Sequence, residues 1–237
     1  MKIVLVLLTW QRLSALKSTI GMLDKQSYKD FDIHISNANL DKSEAIDLTV
    51  GKLANHFGLN IKVTHDGNQY SCFRRFFIGK EYAEKGYDAV MFLDDDINIP
   101  SDYVKRFVEA YEPKTYHSAY TWTFQEGGSN YYTKRKRVSS NDENIKYGGA
   151  GVSMVDAKVF LSKGLLSPPE DAYHIDDLWM SYYCDHILKW KIKHVNIPKL
   201  HVGGGDGVAL YRKIRKGGAG IDKAEFLRRL VAKGWKV

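Results

Sequence analysis

Three adjacent carboxylates, Asp94-Asp95-Asp96, close the apolar run Ala89-Val90-Met91-Phe92-Leu93. Such a run reads as a buried strand, and the acids at its exit cannot follow it into the core without partners. Negative charges packed this closely repel one another, so the chain must set donors or a divalent cation against them. Clustered oxygen ligands suit Mg²⁺ or Mn²⁺, which proteins commonly hold through one or two carboxylates plus the phosphates of a substrate. An acidic strand-to-helix turn, with one Asp capping a helix that starts near Ser101, fits the same residues. A second acidic pair, Asp176-Asp177, opens a helical segment. There one carboxylate can cap while the other projects into a cleft, or both can serve the helix end alone.

These acids need a frame, and the first half of the chain supplies one. Strands are expected at Lys2 to Leu8, Phe31 to Ser36, Asn60 to Thr64 and Ala89 to Leu93, with helices at Leu13 to Leu23, Ser43 to Phe57 and Cys72 to Glu84 between them. That alternation predicts an α/β fold whose mainly parallel sheet binds ligands at the carboxyl ends of its strands. Each of those ends is polar: Thr9-Trp10-Gln11-Arg12, Ser36-Asn37-Ala38-Asn39, His65-Asp66-Gly67-Asn68, then the aspartates. The second half is less regular. A helix over Ser101 to Tyr111 and a strand over Tyr116 to Phe124 lead to a Gly, Ser, Lys and Arg rich stretch, Gln125 to Asn144, expected as a mobile or hairpin segment. After the glycine run Gly148-Gly149-Ala150-Gly151 come helical patterns at Asp156 to Lys163 and Asp176 to Leu188, and a strand at Lys193 to Ile197. His201 and the glycine-rich Gly203 to Gly207 follow.

Composition narrows the function classes. At 237 residues and 44% hydrophobic content the chain can bury a full core in one domain. Its most apolar early stretch, Ile3 to Leu8, is too short for a membrane span or a signal peptide, and Cys72 and Cys184 make no disulfide framework, so a soluble cytoplasmic protein is expected. The net charge of +7 sits mostly in the tail, because His201 to Val237 carries nine Lys or Arg against three Asp or Glu. Such a cluster suits nucleic acid, an anionic membrane or a nucleotide diphosphate, while Asp222 to Val237 by itself reads as a solvated basic helix. No Gly-x-Gly-x-x-Gly follows the first strand and no Walker sequence occurs, which removes the signatures of dinucleotide binding and P-loop hydrolysis.

In chain order, Thr9 to Arg12, Asp66-x-Asn68 followed by Arg75, Phe92-Leu93-Asp94-Asp95-Asp96, Gly148-Gly149-Ala150-Gly151, Asp176-Asp177 with Trp179, and His201 resemble the glycosyltransferases of the GT-A fold, closest to the large family 2 group. The resemblance implies one domain: a Rossmann-like nucleotide-sugar half over residues 1–100, an acceptor half over 101–210 and a basic tail over 211–237. It implies transfer of a sugar from a nucleotide-diphosphate donor, with UDP as the favoured carrier, to a glycan, glycoconjugate or lipid-linked acceptor, with Mn²⁺ or Mg²⁺ as cofactor.

Residue by residue, the resemblance implies Asp96 as a metal ligand and Asp94 as a contact to the ribose or the metal shell, with Asp95 between them beside the donor sugar. Thr9, Arg12, Asn37 and Asp66 match positions lining the base and ribose pocket, Asn37 standing where many relatives have Asp. Asn68 belongs to the same donor motif. Arg75 matches the arginine that follows the third strand, although Phe76 replaces its usual Asn neighbour, and Arg74 is the alternative. His201 matches a late metal ligand of many GT-A enzymes, with core or surface duty as the other reading. Arg212, Lys213, Arg215 and Lys216 would neutralise the departing diphosphate as the glycines before them close over the donor. The acidic pair resembles that of inverting relatives, which implies Asp177 as general base and Asp176 as acceptor ligand, or the reverse order. Gly149, Gly151 and Trp179 fall on the acceptor side, where the glycines permit close approach of a sugar or simply a tight turn. Of the many aromatic residues there, one or two would stack on sugars and most would be core.

A sugar nucleotidyltransferase shares the sheet, nucleotide and metal, but its glycine-rich N-terminal loop has no counterpart in Thr9-Trp10-Gln11-Arg12. A metal-dependent nuclease explains the aspartates and the basic tail but not the ordered strand-end motifs, so nucleic acid is not the expected partner. A catalytically silent carbohydrate or nucleotide binding module is the non-enzymatic alternative, and both intact acidic clusters argue against it. Peripheral contact of the basic tail with a membrane is compatible with a lipid-linked acceptor, without a convincing insertion segment.

Overall fold

β1 (Ile3–Thr9), β2 (Asp32–Asn37), β3 (Ile61–His65) and β4 (Ala89–Asp94) pair in parallel, with β1 between β2 and β4. Every residue of β1 is buried, as expected for a parallel strand covered on both faces. Alternate residues serve opposite layers: Val4, Val6 and Leu8 join one hydrophobic cluster, and Ile3, Leu5 and Leu7 the other. The register sets Thr9 opposite Asn37, Asn37 opposite His65 and Leu8 opposite Asp94, so the polar exits share one edge. Between these strands run α1 (Leu13–Asp24), α2 (Ser43–Phe57) and α3 (Arg74–Glu84). The computed structural model describes residues 1–125, 131–141, 144–202 and 222–237.

The seven-stranded sheet continues past β4 through β10 (Val152–Asp156), β6 (Thr115–Ser118) and β11 (Lys191–His194). β10 is antiparallel to both of its neighbours, whereas β6 and β11 are parallel to each other. A two-stranded sheet joins β5 (Ile97–Asn98) to β12 (His201–Val202), and a three-stranded sheet has the order β8 (Arg135–Val138), β7 (Thr121–Phe124), β9 (Tyr147–Gly148). Among the described residues the remaining α-helices are α4 (Tyr103–Ala110), α5 (Asp176–Tyr182), which runs on into a π-helical turn, and α6 (Lys223–Ala232). Among the described residues no helix is long and apolar enough to cross a membrane.

The second half departs from the pattern read in sequence, each time for a local reason. The expected strand Tyr116 to Phe124 is two strands in different sheets, because Ser118 Oγ donates to the Tyr120 and Gly149 carbonyls and turns the chain between them. Asp156 to Lys163 is no α-helix: Asp156 ends β10 and caps a 3₁₀ turn by accepting from Lys158 N–H. The strand expected at Lys193 to Ile197 begins two residues earlier. Nor is the C-terminal helix a solvated one, since Asp222 caps α6 and Phe226, Leu227, Leu230 and Trp235 bury in the larger core cluster.

Candidate active site

The aspartate triplet is neutralised by two arginines from different elements. Asp95 is buried, 2.5 Å from Arg12 Nη2, and accepts the Thr9 hydroxyl at 3.1 Å. Burial pushes its carboxyl up to about 7, against the pull of Arg12 and with the push of Asp94 and Asp96. Asp96 accepts from Arg12 Nη1 at 2.9 Å, and burial together with Asp94 raises it above the ordinary carboxylate range. Asp94, the most exposed of the three at 40%, takes Arg75 Nη2 at 2.9 Å. Its other oxygen lies against Gly151, where a Cβ would fall 1.9 Å away. Gly151 thus seats the carboxylate, and the antiparallel entry of β10 brings it there, with Asp94 N–H on the Gly151 carbonyl at 2.9 Å.

The other strand exits are tied together beside the triplet. Arg74 is buried and donates to Ser36 Oγ and to the carbonyls of Thr9, Ser36 and Ser71 at 2.7–3.2 Å, clamping the ends of β1 and β2. Asp66 accepts from Ser36 Oγ and Thr64 Oγ1. Asn37 is fully buried and spends its side chain on Asn39 and His65. Asp66 and Asn68 are both exposed beside this buried floor, with Gly67 between them at φ +65° making the turn. Of the two arginines weighed in sequence, Arg74 fixes the strand ends and Arg75 reaches the acids.

Arg75 also faces the second acidic pair. Its Nε lies 3.0 Å from Asp176 Oδ2, outside hydrogen-bonding direction, and that oxygen has no hydrogen-bond partner among the described residues. Burial raises the Asp176 carboxyl above its ordinary range, opposed by Arg75 and assisted by Asp177 and Asp94. Asp177 goes the other way. Burial would raise it too, but Lys223 at 2.8 Å, the Tyr147 hydroxyl and the Leu178 N–H hold it below the ordinary range. Tyr147 in turn meets the Tyr131 hydroxyl at 3.1 Å, to which Arg135 Nη1 donates at 2.6 Å. Sequence reasoning missed Lys223, Tyr131 and Tyr147 as neighbours of the pair. Only the amphipathic spacing of Phe226, Leu227 and Leu230 hinted that α6 docks at all.

No protein-family profile matches the chain and no curated protein matches it in sequence. Solved structures do match. S. aureus TarS superposes with a TM-score of 0.58 over 98% of this chain and 42% of its own length, at 15% identity. The Pyrobaculum calidifontis mannosyltransferase PcManGT, solved with GDP-Man and Mn²⁺, gives 0.55 over 82% of this chain and 54% of its own, at 10% identity. GalNAc-T7, solved with UDP, GalNAc and Mn²⁺, gives 0.61 over 85% and 43%, at 12% identity. The chain has a GT-A-type glycosyltransferase fold. It spans about half or less of the length of each of these three proteins.

Within the GT-A frame the other expected residues fall into place unevenly. Gly149 lies in ordinary contact with Tyr120 and Trp122, at 3.4–3.6 Å from a Cβ built on it. Trp179 is 7% exposed, donates its indole N–H to the Leu165 carbonyl and packs on Tyr182 and Tyr183, which makes it a core residue and not an open stacking surface. His201 pairs in register with Asn98, two residues beyond Asp96, and its side chain is exposed. Arg212, with Lys213, Arg215 and Lys216, lies outside the described residues.

A divalent cation fits this donor set only in part. Asp94 and Asp96, the outer members of the triplet, each have one oxygen engaged by an arginine. Among the described residues no three His, Cys, Asp or Glu side chains converge to hold a metal ion, so Asp94, Asp96 and His201 do not form a protein-only cage. One or two carboxylates with the balance supplied by phosphate oxygens is the usual arrangement for Mg²⁺-type cations, and this geometry suits it.

Proposed function

We propose that this chain is a divalent-cation-dependent glycosyltransferase. It moves a sugar from a nucleotide-diphosphate donor, with UDP favoured, to a hydroxyl of a glycan, glycoconjugate or lipid-linked acceptor, inverting the anomeric centre. The observation that carries this reading is the Arg75 bridge. One buried guanidinium reaches Asp94 at 2.9 Å and Asp176 at 3.0 Å, so a donor-facing acid and an acceptor-facing acid share one counter-ion. The GDP-Man and Mn²⁺ of PcManGT and the UDP, GalNAc and Mn²⁺ of GalNAc-T7 support the donor class.

Asp94 and Asp96 would hold the cation, which when bound neutralises the donor diphosphate. Arg12, Asp66 and Asn68 line the nucleoside end, Arg12 also holding Asp95 and Asp96 in place, while Thr9 and Asn37, buried with their side chains spent within the protein, form the floor beneath it. Arg212 belongs to the segment assigned to the leaving diphosphate. Asp177 is the general base: of the pair it is the more exposed, 17% against 7%, and its lowered pKa keeps it ionised at neutral pH. It takes the proton of the acceptor hydroxyl as that oxygen bonds to the anomeric carbon and the bond from carbon to the diphosphate oxygen breaks. Lys223 and Tyr147 both donate to Asp177 Oδ2, and Lys223 and the Leu178 N–H to Oδ1, so an arriving hydroxyl displaces one of these donors.

A thermal-shift series with UDP-sugars and GDP-mannose, each with and without Mn²⁺, tests the reading, because donor and cation should stabilise cooperatively. Asp96→Ala is expected to abolish the Mn²⁺-dependent part, while Asp177→Asn retains it and loses transfer. Absence of any Mn²⁺-dependent nucleotide shift in the unsubstituted chain would sink the proposal.

A further inference from the structure

Beside Asp177 stands a face of the three-stranded sheet that the reaction as described does not use. Trp122 pairs with Arg137 on one side and Tyr147 on the other, and Phe124 pairs with Arg135, so these side chains share one face of the sheet. Tyr147 stacks on Trp122 at 4.8 Å between ring centroids and, through its hydroxyl, holds Asp177. Over the same indole lie two guanidinium groups, Arg135 at 4.9 Å and Arg137 at 6.0 Å, with Arg137 also 4.5 Å from the Tyr120 ring. The glycine turn that ends against Asp94 begins on this platform, since Gly149 touches Tyr120 and Trp122. The platform therefore flanks the path from the aspartate triplet to the acidic pair.

The arginines face it with no acidic partner among the described residues. Among the described residues neither Arg135 nor Arg137 pairs with a carboxylate; Arg135 spends one N–H on Tyr131, and Arg137 is exposed. A guanidinium laid on an aromatic ring keeps its N–H edge open, and that edge matches the two oxygens of a phosphate or carboxylate. A neutral glycan would meet the rings but leave two cations unanswered.

We infer that Arg135, Arg137, Trp122 and Tyr120 form an acceptor subsite for an anionic glycan, one carrying phosphate or carboxylate groups near the hydroxyl to be glycosylated. This rests on the glycosyltransferase reading and names the substrate class of that same cleft. The rings hold the two guanidinium groups in place and the arginine edges take the oxyanion, which fixes which hydroxyl points at Asp177.

The test uses the full chain saturated with UDP and Mn²⁺, so that anions cannot report on the donor site. Three probes are titrated by NMR or calorimetry: a hexagalacturonate, a glycerol-phosphate hexamer and neutral maltohexaose. At least one anionic probe is expected to bind roughly tenfold or more tighter than maltohexaose, the two distinguishing carboxylate from phosphodiester recognition. Arg137→Gln and Arg137→Lys should each weaken it roughly tenfold, because lysine keeps the charge but not the planar fork. Equal affinity for neutral and anionic probes, no anionic binding at millimolar concentration, or unchanged affinity in both Arg137 variants would overturn the inference. UDP affinity measured alongside separates the two failures: loss of UDP–Mn²⁺ binding in the unsubstituted chain overturns the glycosyltransferase reading and the acceptor assignment with it, whereas intact UDP binding without anion preference overturns the subsite alone.

Discussion

Lys223 Nζ lies 2.8 Å from Asp177 Oδ2, a partly buried ion pair between residues 46 positions apart that closes the C-terminal helix onto the acidic pair. The groups facing Asp177 come from three elements: Lys223 from α6, Tyr147 from β9, and Asp176 with the Leu178 N–H from α5. Burial alone would raise this carboxyl, and the lysine is the strongest opposing influence. The pair consequently sets the pH at which the proposed base is ionised.

Lys223→Met is expected to move the Asp177 titration to higher pH. With the cation gone, burial and the Asp176 charge act against ionisation, and only Tyr147 and the Leu178 N–H still favour it. The acid limb of any transfer activity should move the same way. A ¹³C NMR titration of the aspartate side chains, with Asp177→Asn for assignment, measures this without an acceptor. An unchanged or lowered Asp177 midpoint would contradict the role given to Lys223.

Arg75 carries the structural link between the two acidic clusters, and its side chain is only 5% exposed. Removing one partner of a buried ionic group typically costs about 3–5 kcal/mol, because the remaining charges lose their counter-ion. Arg75→Met should therefore lower the melting temperature by about 6–20 °C for a chain of this size. Arg75→Lys should recover only part, since an ammonium lacks the fork that spans Asp94 and Asp176. Differential scanning calorimetry of the variants decides it, and a loss under ~1 kcal/mol would mean that the acids find other partners.

How much of this was legible in sequence follows the physics of each element. β1 to β4 are buried on both faces, so they read as continuous apolar runs with polar exits, and the edge they share could be placed before any coordinates. β10 escaped because Val152-Ser153-Met154-Val155-Asp156 mixes polar and apolar residues, yet all five are buried where Ser153 donates to Ala150 and Asp156 caps the following turn. The triplet and the pair stood out by composition. Arg75 was marked only through the resemblance, as a donor-side arginine, and its service to both acidic clusters was not legible because tertiary packing places it between them. Lys223 was hidden for the same reason, in a tail whose net charge suggested solvent. Trp179 is conspicuous in sequence, yet its ring and N–H are both spent on the core.

Trp235 anchors the same helix from behind. It is 1% exposed, packs edge-on against Phe124 and Tyr182, and donates its indole N–H to Asp185 at 2.7 Å. Trp235→Ala is expected to cost about 3–5 kcal/mol, the usual range for emptying a buried aromatic site. If α6 positions Lys223, the same variant should also raise the Asp177 midpoint. Chemical denaturation gives the first quantity and the NMR titration the second; a stable variant with an unmoved midpoint would separate the helix from the acidic pair.

Two glycines of one turn make opposite predictions. At Gly151 an added Cβ would stand 1.9 Å from Asp94 Oδ2 and 2.4 Å from its Cγ, so Gly151→Ala must push the carboxylate off its seat or shift β10. Asp94 is hydrogen-bonded to Arg75 on its other side, which leaves it little room to retreat without breaking that contact. At Gly149 the nearest atoms to a built Cβ are 3.4 Å or more away, an ordinary contact that a methyl group can accept. Gly151→Ala should thus weaken Mn²⁺-dependent UDP binding roughly tenfold or more, the loss expected when a charged ligand group is displaced, while Gly149→Ala leaves it near the unsubstituted value. Calorimetric titration of UDP with and without Mn²⁺ reads both. Should the two variants bind alike, the close approach of Asp94 to the Gly151 backbone would have no bearing on how the donor is held, and the metal assignment to Asp94 would lose its geometric support.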